Sequence, residues 1–328
     1  MQTLRPLLLA ALLLSAGTAT ADLSGHPEAD RFIDEMVQRH DFPRGELEHL
    51  FARTEIRQPI LDAIARPAEK KPWHQYRPIF LTEDRIRGGA AFWERHAETL
   101  AAAEAEYGVD PAIIVAILGV ETRYGRHRGG HRVVDALATL AFEYPPRARF
   151  FRSELEQFLL MTREEGIDPL TLQGSYAGAM GQPQFIASSF RNYAVDFDGD
   201  GRRDLWENSA DVIGSVANYL HRHGWEAGSA IAFPAQVSGE TPSALLDAGI
   251  RPSLTVAELK AQGIEPPAAL ADDTPVALLA LERKAGEPAH WITLNNFYAI
   301  TRYNHSPLYA MAVHQLAQAI RSLREGEG

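Results

Sequence analysis

At 328 residues and 45% apolar content, the chain can bury a large core and support two or three substructures, which argues against an intrinsically disordered protein. Its formal charge of −11, from 32 basic and 43 acidic residues, disfavours broad attraction to nucleic acid or anionic lipid. There is no cysteine, so neither a disulfide nor a lipid-bearing cysteine can form.

The chain begins with one cation, Arg5, ahead of the apolar run Leu7 to Leu14, and small residues then lead to Ala19-Thr20-Ala21. This pattern predicts a secretory signal over residues 1–21, cleaved after Ala21, and delivery to the periplasm. The apolar run is well short of the ~20 residues needed to span a bilayer. From His26 to about Glu106 the pattern is helical, broken at Asp41-Phe42-Pro43 and Lys71-Pro72-Trp73, and three or four short helices are expected. Asp110-Pro111 is an N-cap followed by proline at the first helical position. Helical periodicity continues from Ile113 to Tyr124, and Gly125 ends it. Further helices are expected over 146–165 and 211–222. After Gly224 prolines and glycines multiply, and β-like runs at 230–233, 276–281 and 290–293 predict a small antiparallel substructure. Ser306-Pro307 repeats the cap-plus-proline signal, with Tyr309, Val313, Leu316 and Ile320 at helical spacing behind it.

Three segments carry candidate chemistry. Glu121 follows Ile114, Ile117 and Leu118 by seven, four and three residues, which places a carboxyl on their apolar stripe. Desolvation there would raise its pKa toward that of a general acid working near neutrality. The alternative is a helix-end glutamate reaching water or pairing with Arg123 or Arg126. Residues Gly174 to Phe185 hold three glycines and no charge, so they suit close approach of a ligand or of another backbone, with Ser175 and Gln184 available to sugar hydroxyls or amides. The serine-hydrolase pattern G-x-S-x-G is absent, because Ser175 follows Gly174 directly. The run Asp196-Phe197-Asp198-Gly199-Asp200-Gly201-Arg202-Arg203-Asp204 fits the start of an EF-hand-like Ca2+ loop: carboxylates at positions one, three, five and nine, glycine at six, and the Arg202 carbonyl at seven. Glu207 stands at position twelve, with Asp211 as its rival. Aromatic residues at Trp73, Tyr76, Tyr124, Tyr176, Tyr219, Phe297, Tyr298, Tyr303 and Tyr309 could stack on sugar rings or fill the core. His127 and His131 are separated by Gly129-Gly130, which favours a loop over a zinc-binding helix.

These segments, in this order on one exported chain, resemble the membrane-bound lytic transglycosylase B family, peptidoglycan-cleaving enzymes that also occur as a soluble fragment. The matching residues are Gly119-Val120-Glu121-Thr122-Arg123-Tyr124-Gly125, Gly174 to Phe185, the Asp196 loop with Ile213-Gly214-Ser215-Val216-Ala217-Asn218-Tyr219, and Asn296 to Asn304. The resemblance spans about Asp30 to Ile320. It implies a mainly α (α+β) fold. A lysozyme-like core over 101–226 would carry the calcium loop at 196–211. A helical domain over 22–100 would be completed by the cleft segment and helix of 294–328, and a small β domain would occupy 227–293. By position in the matching motifs, Glu121 is implied as the acid/base, with Ser175, Gln184, Tyr219, Tyr303, Asn304 and Tyr309 lining a glycan cleft, joined by Tyr76 and Arg147. The implied calcium ligands are Asp196, Asp198, Asp200, the Arg202 carbonyl and Asp211. Asp211 is favoured over Glu207 because this chain carries one extra residue before Ile213. The missing cysteine departs from the family's lipid anchoring.

Ordinary glycoside hydrolysis needs two carboxylates, and only one can be nominated. The resemblance implies a route that needs one: Glu121 protonates the bond between N-acetylmuramic acid and N-acetylglucosamine, then takes the proton of the sugar's own 6-hydroxyl, leaving a 1,6-anhydro product. A hydrolytic muramidase and a non-catalytic peptidoglycan-binding protein are the alternatives. The expected partners are glycan strands, with cell-wall synthases or divisome proteins as candidates.

Overall fold

Side-chain caps or an early proline mark several helix starts. The computed structural model describes residues 23–65, 71–238, 241–267, 270–284, 286 and 288–326, so the signal expected over 1–21 lies outside the described residues. Helices α1 (Pro27–His40), α2 (Arg44–Phe51), α3 (Gln58–Ile64), α4 (Trp73–Phe80), α5 (Glu83–Arg95) and α6 (Ala97–Tyr107) occupy the first third. The expectation of three or four helices there is thus corrected to six among the described residues. Two of the breaks leave little mark in composition: the Thr82 hydroxyl caps α5 by accepting the Arg85 N–H, and His96 turns the chain between α5 and α6.

Helix α7 (Pro111–Thr122) starts where its sequence cap lies, with the Asp110 carboxylate accepting the Ala112 N–H at 2.9 Å. Every residue from Pro111 to Val120 is buried, so α7 is apolar on all sides and not on one stripe as its periodicity suggested. It runs through the middle of the molecule against α5, α6, α11 (Ser209–Arg222) and α15 (Pro307–Glu325). Its fully buried Ile113, Ile114, Val115, Ile117 and Leu118 each contribute about 2 kcal/mol of apolar burial.

Between α7 and α11 stand α8 (Val133–Glu143), α9 (Ala148–Glu165) and α10 (Ala187–Tyr193), with a short antiparallel pair β1 (His131–Arg132) and β2 (Gln173–Gly174). The helix expected from Pro146 opens as a 3-10 turn over Pro145–Arg147 before α9. The β region follows: β3 (Ala232–Pro234), β4 (Gln236–Val237), α12 (Ser243–Asp247), β5 (Leu254–Thr255), α13 (Val256–Ala261), β6 (Ile264–Glu265), β7 (Pro275–Glu282) and β8 (Pro288–Thr293). Its four-stranded sheet has the order β3-β8-β7-β5, all antiparallel, with Leu278 opposite Ile292. Alternation along β7 divides the strand between two cores. Val276 and Leu278 join a local cluster with Val256, Leu259, Ile264 and Ile292, while Leu279 and Leu281 join the main core. Helices α14 (Asn295–Tyr303) and α15 then return the chain to the centre, and α15 packs on α4, α5 and α7. No helix among the described residues is long and apolar enough to cross a membrane.

Candidate active site

Glu121 sits in the last turn of α7, at the one point where that helix stops being buried. The chain cannot continue the helix: Arg123 and Tyr124 adopt left-handed φ of 50° and 61°, and the Tyr124 N–H closes on the Leu118 carbonyl at 3.0 Å. Thr122 ties the same turn to the glycine-rich segment, donating to the Gln182 carbonyl at 2.8 Å. Glu121 is therefore held from both sides, part of the residue reaching the surface. Burial pushes its pKa up to about 7, although the Tyr309 hydroxyl, donating to Oε1 at 2.6 Å, favours the charged form. A carboxyl so poised is present in both protonation states near neutrality. Among the described residues, no second carboxylate contributes to its shift.

Tyr309 reaches this position because the Ser306 hydroxyl and Pro307 start α15 three residues earlier. Around the pair stands an aromatic wall. Tyr303 stacks parallel to Tyr309 at 6.4 Å, and Tyr219 lies 4.8 Å from Tyr303. Burial, and then the Glu121 charge, raise the pKa of both Tyr303 and Tyr309 well above that of an ordinary phenol. Two hydroxyls fix the wall to backbone: Tyr219 donates to Arg302 O at 2.5 Å and Tyr303 to Pro183 O at 2.6 Å. Tyr76, buried between Trp73 and Phe80, acts electrostatically on Tyr309 from α4. The sequence had not singled out Tyr193 and His223, which extend the wall. His223 stacks on Tyr219 at 4.1 Å, and its pKa is lowered chiefly by burial. The four-residue spacing of His223 from Tyr219, at the end of α11, is a signal in the sequence for the histidine, whereas Tyr193 on α10 has no such spacing.

The glycine-rich segment folds into a tight loop joined to this wall through Phe185, 5.5 Å from Tyr219 and 5.8 Å from Tyr303. Glycine is required at Gly174, where a Cβ would lie 2.2 Å from the Ala179 carbonyl oxygen. Ser175 Oγ accepts the N–H groups of Ala179 at 3.0 Å and Ala177 at 3.3 Å, so it shapes the loop and keeps its proton to donate. Gln184, at a φ of 52°, donates to Gly181 O at 2.9 Å and Arg128 O at 3.2 Å, which leaves its carbonyl as an acceptor. Asn304 follows Tyr303 at the end of α14. Arg147 stands apart: its guanidinium covers Phe150 and Phe151 at 4.2 and 5.3 Å, in a shallow depression formed by residues 145–150 and Ser153. Of the remaining aromatics, Phe297 is core and Tyr176 is exposed. Two cavities of about 450 and 420 Å³ lie elsewhere, one against Phe42 and Leu159, the other at the far end of α7 by Asp110 and His314, and Glu121 lines neither.

In the acidic loop, carboxylate oxygens of Asp196, Asp198 and Asp211 lie within 4.8 Å of one another. Asp211 is fully buried and accepts the N–H groups of Phe197 at 2.8 Å and Asp204 at 2.7 Å. Glu207 instead points outward and pairs with Arg128 at 2.7 Å. Asp200 stays outside the group of three and accepts the Arg202 N–H. Gly199 and Gly201 take left-handed φ of 75° and 91°, which let the loop curl around Asp196.

Residues 24–318 match the model of the transglycosylase SLT domain. The chain is 45% identical over 313 residues to membrane-bound lytic murein transglycosylase B of Escherichia coli (strain K12), covering 92% of this chain and 85% of that protein. Among solved structures, the catenated lytic transglycosylase SltB1 of Pseudomonas aeruginosa superposes with a TM-score of 0.88 at 50% identity, over 92% of this chain and all of that one. The Escherichia coli lytic transglycosylase Slt35, solved in complex with calcium, superposes with a TM-score of 0.84 at 43% identity, over 93% and 96% of the two chains. The chain belongs to the transglycosylase SLT family, with the membrane-bound lytic transglycosylase B proteins as its near relatives.

Proposed function

We propose that the chain is a lytic transglycosylase acting on peptidoglycan, with Glu121 as its single acid and base. The observation that carries the reading is a lone carboxyl with a pKa near 7, bonded by Tyr309 on Oε1, inside an aromatic wall. With Oε1 so engaged, Oε2 carries the proton to the glycosidic oxygen between N-acetylmuramic acid and N-acetylglucosamine. That bond breaks, and the leaving sugar departs as an alcohol. The Glu121 carboxylate then takes the proton of the muramyl 6-hydroxyl, whose oxygen bonds to the anomeric carbon. The product is a 1,6-anhydromuramyl end, Glu121 is protonated again, and no water is consumed. Tyr309 steadies the carboxylate between the two transfers, because its hydroxyl bond favours the charged form. Hydrolysis would require a second carboxylate within about 10 Å to supply a nucleophile or activate water.

In this reading Tyr76, Tyr219, Tyr303 and Asn304 line the glycan cleft, Ser175 and Gln184 supply the donor and acceptor that their loop bonds leave over, and Arg147 meets the strand outside the cleft. Residues 101–226 form the catalytic core, 22–100 with 294–328 a supporting helical domain, and 227–293 a β domain. Calcium is the metal that fits the acidic loop. Three converging carboxylates, Asp196, Asp198 and Asp211, repel one another without a cation. Asp200, which lies outside that group of three, and the Arg202 carbonyl would complete an all-oxygen ligand set. Bound there, calcium supplies charge neutralisation and rigidity, and it takes no part in bond cleavage. The protein works in the periplasm after cleavage at Ala21, on glycan strands that synthases or divisome proteins also handle.

The test is mass spectrometry of fragments released from purified sacculi by the wild type and by Glu121→Gln. The wild type is expected to release anhydromuramyl ends. Glu121→Gln should bind sacculi and release nothing, since an amide has no acidic proton. Near-normal release by that variant would refute the assignment of Glu121, and reducing muramyl ends from the wild type would make the enzyme a muramidase.

A further inference from the structure

Tyr124 is absent from the reaction just described, yet its side chain is packed so closely that three neighbouring glycines have no room for a Cβ. It follows the carboxyl by three residues, and with Arg123 it forms two consecutive non-glycine residues in the left-handed region. Such a conformation is disfavoured for each residue with a Cβ and persists only where the surroundings impose it. Here it turns the Tyr124 ring back along α7, into a slot made by three glycines. A Cβ at Gly119 of α7 or at Gly89 of α5 would each lie 2.6 Å from the Tyr124 hydroxyl oxygen, and one at Gly88 would lie 2.9 Å from the ring. Phe92 stacks on the ring at 5.7 Å, and Ile320 of α15 closes the slot beside Gly89. The hydroxyl donates to the Arg85 carbonyl at 2.6 Å.

That carbonyl belongs to a residue which itself links two helices. The Arg85 guanidinium is buried, donates to Ile79 O at the end of α4 and lies 5.2 Å over the Phe80 ring. Phe80 packs 5.0 Å from Tyr76, which acts on Tyr309. The contacts therefore run from the end of α7 through Tyr124 to Arg85 and on to Phe80 and Tyr76 of α4, whose electrostatic influence reaches Tyr309 beside Glu121.

We infer that Tyr124 is a positioning residue for the acid/base: its ring and hydroxyl lock the last turn of α7 against α5 and α15, and so hold the Glu121 carboxyl dry and in register with Tyr309. The inference rests on the assignment of Glu121 as the acid. Packing alone would make Tyr124 a stability residue. A positioning role adds that loss of the hydroxyl admits water to the carboxyl, lowers its pKa and misplaces it by a fraction of an ångström, which is enough to slow proton transfer.

The experiment compares wild type, Tyr124→Phe, Gly119→Ala and Glu121→Gln, as purified full chains on sacculi, with kcat, KM, the pH profile of kcat and the unfolding midpoint as readouts. Tyr124→Phe keeps the ring and removes one bond, and Gly119→Ala crowds the hydroxyl from α7 itself while favouring the helix. For both, kcat is expected to fall by roughly tenfold with KM within about twofold. The alkaline limb of the profile should move to lower pH by about half a unit or more, with the variants still folded. An unmoved limb in folded Tyr124→Phe, whether its rate is normal or falls only with the folded fraction, overturns the inference. If Glu121→Gln is inactive while Tyr124→Phe matches the wild type, positioning fails and the catalytic reading stands. If Glu121→Gln is active, both fail together.

Discussion

Glu121 is an ionisable group at the end of a helix whose other residues are buried, and that placement has a cost in stability. Its folded pKa of about 7 lies above its ordinary value of 4.5, so between those pH values the folded state binds more protons than the unfolded one. The sign follows. Stability from this group is fully present below the unfolded pKa and is lost as pH rises through the folded one. The shift corresponds to at most about 3 kcal/mol, and less than that where the carboxyl opens to solvent. Glu121→Gln should therefore raise the unfolding midpoint by about 2–4 °C at pH 8 and much less at pH 5, measured by calorimetry. A midpoint difference independent of pH would mean that the carboxyl is solvated in the folded protein. The raised pKa was legible in outline, since apolar residues at helical spacing precede Glu121. That spacing predicts a single apolar stripe, whereas neighbours cover all sides of α7. Nor could local spacing pair Glu121 with Tyr309, 188 residues later, because that contact depends on how α15 packs on α7.

Element boundaries were most legible where a cap coincided with proline. Asp110-Pro111 and Ser306-Pro307 start α7 and α15 as read, and these two helices carry Glu121 and Tyr309. The breaks around Thr82 and His96 were missed because neither is marked by proline or glycine. At the acidic loop, spacing left Glu207 and Asp211 as rivals, and burial separates them geometrically: Asp211 faces the other carboxylates and Glu207 faces Arg128. If the loop holds calcium through Asp211, adding calcium should raise the wild-type unfolding midpoint and a chelator should reverse it, with the product ends unchanged. Asp211→Asn should lower the metal-free midpoint by only a few degrees, because the amide oxygen can still accept one of the two backbone N–H groups, and it should abolish most of the calcium response. An undiminished response in that variant would place the ion elsewhere.

Across the whole molecule, aromatic residues distant in sequence meet around Glu121 because α14 and α15 return to the helices laid down first. The aromatic wall draws Tyr219 from α11 and Tyr303 with Tyr309 from the chain's end, with Tyr76 of α4 acting electrostatically on Tyr309, while the β sheet shares its strand β7 between two cores. Everything proposed for this assembly depends on one carboxyl breaking a glycosidic bond without water. Digestion of sacculi in water enriched in heavy oxygen measures that directly. The account predicts released muramyl ends free of the label, and none released by Glu121→Gln. Labelled oxygen at the muramyl anomeric carbon would contradict it.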